Sequence, residues 1–346
     1  PEPLAPVDDD GVVTVAQLLA VCRNPAQVFL RDRLGVSLSE AAEARDDLIP
    51  FALGPLDRWG VADALLDHRR RLGAAWDDPA FDRWATTQRR RGAVPPMAFG
   101  DRDLGTARER VDGLVDAAVA LMGGSLVEPR SVPLDLLVPL AAGSTVRVVG
   151  QVDGIVGDRS FTITASSLKD SDVLAAWVKA ALLSHLDPTR PWEVVTIGRG
   201  RDGKGTGVER VSLRHPGQAA QVLDLAVDLH RRVQCDAVPA FAATTRAWHE
   251  RGAAGARDAF EAKEKTRRES NDRWVAELFG TDPDHLLALA RRPDEHGEGW
   301  PAEGGRLAAW AERLWGSFER TAVLVEGVGD PDDVTAAAAG SEGVAS

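Results

Sequence analysis

The sequence predicts an α/β (α+β) fold: a small mixed sheet with helices laid on it and helical additions at both ends. Three observations carry that reading. Segments 130–138, 144–156 and 159–166 alternate apolar and polar residues in the manner of strands. Directly after them, Val173, Leu174, Trp177, Val178, Ala181, Leu182 and His185 fall on one helical stripe. A glycine-rich turn then separates two more strand-like segments, about 192–197 and 207–213. At 346 residues the chain is long enough for one large domain or two smaller ones.

The elements run in order along the chain. Residues 1–11, PEPLAPVDDDG, read as a flexible acidic linker. Thr14 can cap a helix running to about Cys22. Asn24-Pro25 caps a second helix with proline at its first position. Helical periodicity recurs near 55–70, 79–91 and 104–122. The α/β core spans 126–235 and ends in a helix opened by Pro216, with Val222, Leu223, Ala226, Leu229 and Val233 on its stripe. Residues 236–326 read as helical, interrupted by a polar loop at 292–304, and 327–346 as a disordered acidic tail. The expected division is thus one domain over 12–326, with a helical part at 12–125, the core, and a second helical part.

Composition excludes several functions. Two cysteines, Cys22 and Cys235, cannot build a disulfide framework, a cysteine-rich zinc site or a four-thiolate cluster. There is no tyrosine, so no phenolic acid–base chemistry. No apolar run reaches the roughly 18–20 residues that span a bilayer, and no Lys/Arg-led signal peptide opens the chain. The expectation is a cytoplasmic protein with no membrane partner. The start at Pro1 without methionine suggests a piece of something longer. Only five of the 41 bases are lysine, which matches GC-biased codon usage. The net charge is −12, but residues 1–10 and 326–346 hold nine acids and no base. The body is therefore near −3, compatible with local contact to a polyanion.

The glycine-rich turn is the loudest motif. Gly198, Gly200 and Gly203 spell G-x-G-x-x-G, and with Lys204 nearly a phosphate-binding loop. Both motifs need a helix directly after them, because phosphate sits on its N-terminus. The residues after the turn, GTGVERVSLRHP, read as a strand, and Asp202-Gly203 is a hairpin turn pair. A hairpin is the expectation. The seven histidines form no metal-ligating pair, and His185 reads as a satisfied core histidine.

Segment 147–186 carries the most chemistry. A strand ending in Gly-Gln-Val-Asp-Gly-Ile (150–155) turns into a second strand, then an amphipathic helix. Metal-dependent nucleases of the PD-(D/E)XK, restriction-endonuclease-like type share this layout. In them an Asp ends one strand, and an acid and a Lys two residues apart project from the next. The carboxylates hold the cation that activates water. Asp153 matches the first position. Thr164 and Ser166 stand where the acid and the Lys are expected, and neither face of 159–167 offers a carboxylate. One carboxylate is a poor site for a hard cation. The reading is a nuclease-like fold with a vestigial Asp153, no catalytic residues, no metal and no cofactor.

At this point the chain resembles a known family, the C-terminal region of RecC, the gamma subunit of exodeoxyribonuclease V (the RecBCD helicase–nuclease). VTVAQLLAVCRNPAQVFLRDRLGVSL, RRRGAVPPMAFG (89–100), HPGQAAQVLDLAVDLHRRV and AVPAFAATTRAWHE carry the resemblance in order and spacing, covering most of residues 12–325. It implies an inactivated nuclease-like domain in double-strand break repair and homologous recombination. It also implies roles in duplex splitting, strand guiding and subunit assembly. The implied partners are RecB-like and RecD-like subunits, a double-stranded DNA end and the separated single strands.

DNA-contact candidates come from the hairpin: Arg199, Arg201, Lys204, Arg210 and Arg214, an excess of three positive charges over Asp202 and Glu209. The clusters Arg69–Arg71, Arg89–Arg91 and Arg267-Arg268 are alternatives, more often solvated helix faces or subunit contacts. Two other functions stay open. One is an active metal-dependent nuclease with displaced residues, such as Glu261/Lys263 or Asp202/Lys204. The other is a stand-alone protein-interaction module.

Overall fold

The computed structural model describes residues 3–6, 10–38, 53–124, 126–141, 143–200, 207–214, 217–262, 269–297, 299–302 and 304–325. The acidic tail expected at 327–346 lies outside them, as do Arg267 and Arg268. The chain opens with strand β1 (Val12–Thr14) and helix α1 (Val15–Arg23). Thr14 and Gln17 close a reciprocal capping box at the start of α1. Asn24 caps the short α2 (Pro25–Gln27), its Oδ1 accepting the Gln27 amide at 2.9 Å, and the chain continues through a π-helical stretch, Val28–Arg33. The predicted cap and the Pro at the first helical position are both present.

Helices α3 (Pro55–Leu72), α4 (Asp78–Arg90) and α5 (Met97–Leu121) come next. Helix α5 begins seven residues before the sequence periodicity does. Gly100 makes this possible: a Cβ there would collide with the Pro95 carbonyl oxygen, so only glycine lets the first turn close on Pro95-Pro96.

The sheet contains seven strands among the described residues, in the order β1-β3-β4-β5-β6-β7, with β2 also on β3. Strands β2 (Arg130–Pro139), β3 (Thr145–Val156) and β4 (Arg159–Ser167) match the alternating segments of the sequence, and β5 (Glu193–Arg199) and β6 (Val208–Arg214) the two strand-like segments around the glycine-rich turn. Helix α6 (Asp170–Leu186) connects β4 to β5, which pair in parallel. The α/β reading therefore holds. Strands β1 and β7 (Val323–Leu324) come from outside residues 126–235 and extend the sheet on either side.

Alternation along β5 locates the layers. Val194 packs in the largest core with Leu18 of α1, Leu174 and Leu182 of α6, and Leu223 of helix α7 (Ala219–Cys235). Val195 and Ile197 pack instead with Leu114 of α5 and Phe161 of β4. Helices α1, α6 and α7 thus cover one face, and α3 and α5 the other. Each fully buried leucine contributes about 2 kcal/mol by area. Helix α7 starts at Ala219; Pro216 lies outside the described residues.

After α7 the described elements are helices apart from β7: α8 (Ala242–Phe260), α9 (Arg273–Phe279), α10 (Pro283–Leu287), α11 (Arg306–Ala311) and α12 (Ser317–Thr321), with a non-helical stretch between α10 and α11 where the sequence reads as a polar loop. Two indoles tie this part down. Trp177 Nε1 donates to Thr321 Oγ1 and Trp315 Nε1 to Thr245 Oγ1, each at 3.0 Å. No helix among the described residues is long and apolar enough to cross a membrane.

Candidate functional site: the Asp153 strand face and the basic hairpin

Asp153 stands on β3 where that strand bends away from β4. The two strands pair only at Ile155 with Ser160 and Val156 with Arg159. Gly154 makes the bend: its φ is +82°, and a Cβ would overlap the carbonyl oxygen of Phe161. The Asp153 carboxylate is exposed, and its Oδ1 accepts from Ser131 Oγ (2.5 Å) and Gln151 Nε2 (2.8 Å). Its peptide oxygen accepts from Ser160 Oγ at 3.1 Å.

The next strand brings hydroxyls to this face. Thr164 Oγ1 accepts the backbone N–H of Ser166 at 3.2 Å. Thr162 Oγ1 accepts from Lys179 Nζ at 3.0 Å. Lys179, on α6, is the residue that sequence reasoning missed. Burial and the Arg23 guanidinium hold its amine below the ordinary lysine pKa, while Asp153 and Asp172 act in the opposite sense. Its signal was available: it is the one charge between Val173 and Ser184 in an otherwise apolar helix. The face therefore assembles the Asp153 carboxylate, four hydroxyls (Ser131, Ser160, Thr162 and Thr164) and the Lys179 ammonium. Among the described residues no group of three or more His, Cys, Asp or Glu side chains is placed to hold a metal ion. Of the displaced pairs, Glu261 stands just after α8, whereas Lys263, Asp202 and Lys204 lie outside the described residues.

The glycine-rich segment is a hairpin. Strands β5 and β6 pair antiparallel from Glu193 with Arg214 to Arg199 with Val208, and Gly200 N–H donates to Gly207 O at 2.6 Å. A strand rather than a helix comes after the turn, so the phosphate-loop geometry is not formed. Arg201 and Lys204 lie outside the described residues. Cross-strand partners share a face, and Ile197 faces α5. Arg199, Arg210 and Arg214 therefore all project from the α5 side of the sheet.

Their partners differ. Arg199 donates to Ser167 Oγ through Nε (3.3 Å) and Nη2 (3.0 Å). Arg214, at the hairpin base, is held by the buried Glu193, Nη2 to Oε2 at 3.2 Å. Glu193 also pairs with Arg159 at 3.1 Å and accepts from Ser212 Oγ. Burial pushes the Glu193 carboxyl up, but these donors prevail and hold it below its ordinary value. Near the hairpin tip, Arg110 of α5 carries a lowered guanidinium pKa, from burial and from the adjacent charges of Arg199 and Arg58. Three cations from α3, α5 and β5 thus converge. No sequence spacing links residues 58, 110 and 199; only the fold does. His185 is half-buried rather than in the core, its Nε2 placed 3.1 Å from the Leu137 carbonyl oxygen.

A family model described as the RecC C-terminal domain matches residues 10–253. The chain is 30% identical over 317 residues to RecBCD enzyme subunit RecC of Mycobacterium tuberculosis, covering 88% of this chain and 26% of that protein. Against RecBCD enzyme subunit RecC of Mycolicibacterium smegmatis it is 28% identical over 319 residues, covering 90% and 27%. The chain spans about a quarter of the length of these relatives. The matched span runs from β1 into α8 and takes in Asp153, Lys179 and the basic hairpin. With the whole candidate site inside it, the chain belongs to the RecC C-terminal domain family.

Proposed function

We propose that this chain is a non-catalytic, PD-(D/E)XK-like domain of a RecBCD-type helicase–nuclease subunit. In that role it acts in the cytoplasm in double-strand break repair and homologous recombination. It guides separated strands, takes part in splitting the duplex, and helps hold RecB-like and RecD-like subunits together. The observation that carries the loss of catalysis is the face around Asp153. In the sequence Thr164 and Ser166 stand where the nuclease pattern expects the acid and the Lys, and Asp153 Oδ1 accepts from Ser131 and Gln151. A single carboxylate so placed leaves most ligand positions of a hard cation unfilled. Strand guiding is supported by the one-sided array of Arg199, Arg210 and Arg214, with Arg110 and Arg58 beside it, and by Arg201 and Lys204 in the same loop of the sequence.

The test is direct. Purified protein with Mg²⁺ or Mn²⁺ and linear duplex DNA is expected to show no cutting above background. Charge reversal of Arg199, Arg201 and Lys204 in the assembled complex is expected to weaken forked-DNA binding and flatten its salt dependence. Unchanged binding and an unchanged salt slope would remove the hairpin from the DNA path.

A second reading, an active nuclease with a relocated lysine, has one observation in its favour: Lys179 lies within electrostatic reach of Asp153. Cutting that is lost in both Asp153→Asn and Lys179→Met would establish it in place of the first.

A further inference from the structure

Helices α3 and α4 enclose an open groove of about 530 Å³. Its floor is aromatic. The His68 ring stacks on the buried Trp84, with centroids 6.5 Å apart and planes inclined by 29°. Its rim carries Arg71, Arg83 and Arg91, all exposed, and a single carboxylate, Asp67. Among the described residues these three guanidiniums make no side-chain hydrogen bond or ion pair. Nearby, Arg69 is engaged with Asp112 and the Gly73 carbonyl, and Arg89 with Asp101. Burial and the charges of Arg71 and Arg83 hold the His68 pKa below its ordinary value.

Many of the described arginines bind a carboxylate or a carbonyl oxygen, and a lone solvated arginine is ordinary; what sets Arg71, Arg83 and Arg91 apart is that all three line one groove. Three guanidiniums converging on one groove beside the half-buried His68 ring suit a polynucleotide strand, whose phosphates such cations track; Trp84, buried between His68 and Phe81, supports the groove from below. We propose that this groove binds the phosphodiester backbone of a single-stranded nucleic acid, independently of sequence and separately from the hairpin. The proposal rests on the DNA-handling role above and extends it to a second contact. Arg71 lies 13 residues along α3 from Arg58, about 20 Å at 1.5 Å per residue, so the two basic sites are distinct.

The experiment uses the full chain, with any subunits that co-purify, and a fluorescein-labelled oligo-dT followed by anisotropy at several salt concentrations. The triple variant R71Q/R83Q/R91Q changes only exposed side chains, and its thermal midpoint reports that the fold is kept. Losing three phosphate contacts should flatten the slope of log K against log salt by about 2. At 0.1 M salt that is on the order of a hundredfold weaker binding. R199Q/R210Q, combined with the triple variant, should add its loss to that of the groove. Equal affinity and slope in wild type and triple variant, with the hairpin variant weakened, would overturn the groove and leave the DNA role standing. No oligonucleotide binding by wild type would overturn both. Unchanged oligonucleotide binding with loss of a co-purifying subunit would identify the groove as a protein contact and overturn the proposal. Competition by free inorganic phosphate at concentrations matching the oligonucleotide's phosphates would reduce it to an isolated anion site.

Discussion

His249 of α8 sits between two carboxylates, Nδ1 3.0 Å from Glu312 Oε1 and Nε2 3.1 Å from Glu319 Oε2. Burial pulls its pKa down, but the hydrogen bonds and charges of Glu319 and Glu312 outweigh this and raise it. A raised folded-state pKa means that the folded state binds the proton more tightly than the unfolded chain. The stabilisation is therefore complete below about pH 6.5, the unfolded value, and is lost as pH rises through the folded one. Both glutamates are substantially exposed, so the gain is about 1 kcal/mol or less. Thermal melts of wild type and His249→Gln from pH 5.5 to 8.5 should differ most at the acid end and converge at the alkaline end. A gap that does not vary with pH would remove the clamp. At this scale the sequence is informative only where chemistry is local. Asp153 is marked by its strand-end position and its flanking glycines. The partnership of Lys179 with Thr162 is not, because it joins a helix to a strand 17 residues away.

Elements show the same division between local and distant causes. Strands β2 to β6 are legible because each runs seven or more residues, long enough for a pattern to register: alternation along β2 and β3, and a β-branched apolar run in β5, which is buried on both faces. Strands β1 and β7 have three and two residues. No periodicity exists at that length, and both form because β3 and β6 present edges to them. The bend at Asp153 is local again and gives a sharp test. Gly154→Ala must adopt φ +82° and push against the Phe161 carbonyl oxygen. Both effects lie in the backbone, where little can yield, so a loss of about 2–4 kcal/mol is expected. Denaturant unfolding measures it, and a loss under about 0.5 kcal/mol, the level of an ordinary surface change, would mean the β3–β4 bend is not constrained. The loop between α10 and α11 has a different anchor. Fully buried Glu295 accepts from Arg306 Nε at 2.9 Å, Trp310 Nε1 at 3.2 Å and the Arg292 amide at 2.9 Å. Asp236, at the end of α7, completes the network with Arg292 at 2.6 Å and Arg306 at 2.9 Å. Glu295→Ala leaves the buried Arg306 with one carboxylate in place of two, at an expected cost of about 3–5 kcal/mol. Limited proteolysis should then cut first within 288–305. Wild-type resistance there would show that the network is dispensable.

For the whole molecule, charge is distributed by region rather than by residue. The net charge of −12 is concentrated at the ends, where residues 1–10 and 326–346 hold nine acids and no base. The body between them is close to neutral and carries many of its arginines as ion pairs. Among the described residues, the α5 side of the sheet and the α3–α4 groove each gather several guanidiniums on one face. On the proposed DNA role, a near-neutral body with two cationic sites would bind a polyanion locally, and the negative charge of an acidic segment in the same chain would compete with it and lower the potential around those sites. That competition is electrostatic and acts over the Debye length, about 10 Å at 0.1 M salt. Removing residues 326–346 takes away five acids and no base. It should strengthen oligonucleotide binding severalfold at about 0.02 M salt and leave it nearly unchanged at about 0.3 M, where exposed charges are screened. The gain should appear mainly in the association rate, because steering raises encounter without adding a contact. Stopped-flow anisotropy on the shortened and full chains separates the two rates. A gain that persists at the higher salt, or that lies in dissociation, would mean that 326–346 occupies the binding surface by direct contact instead of screening it.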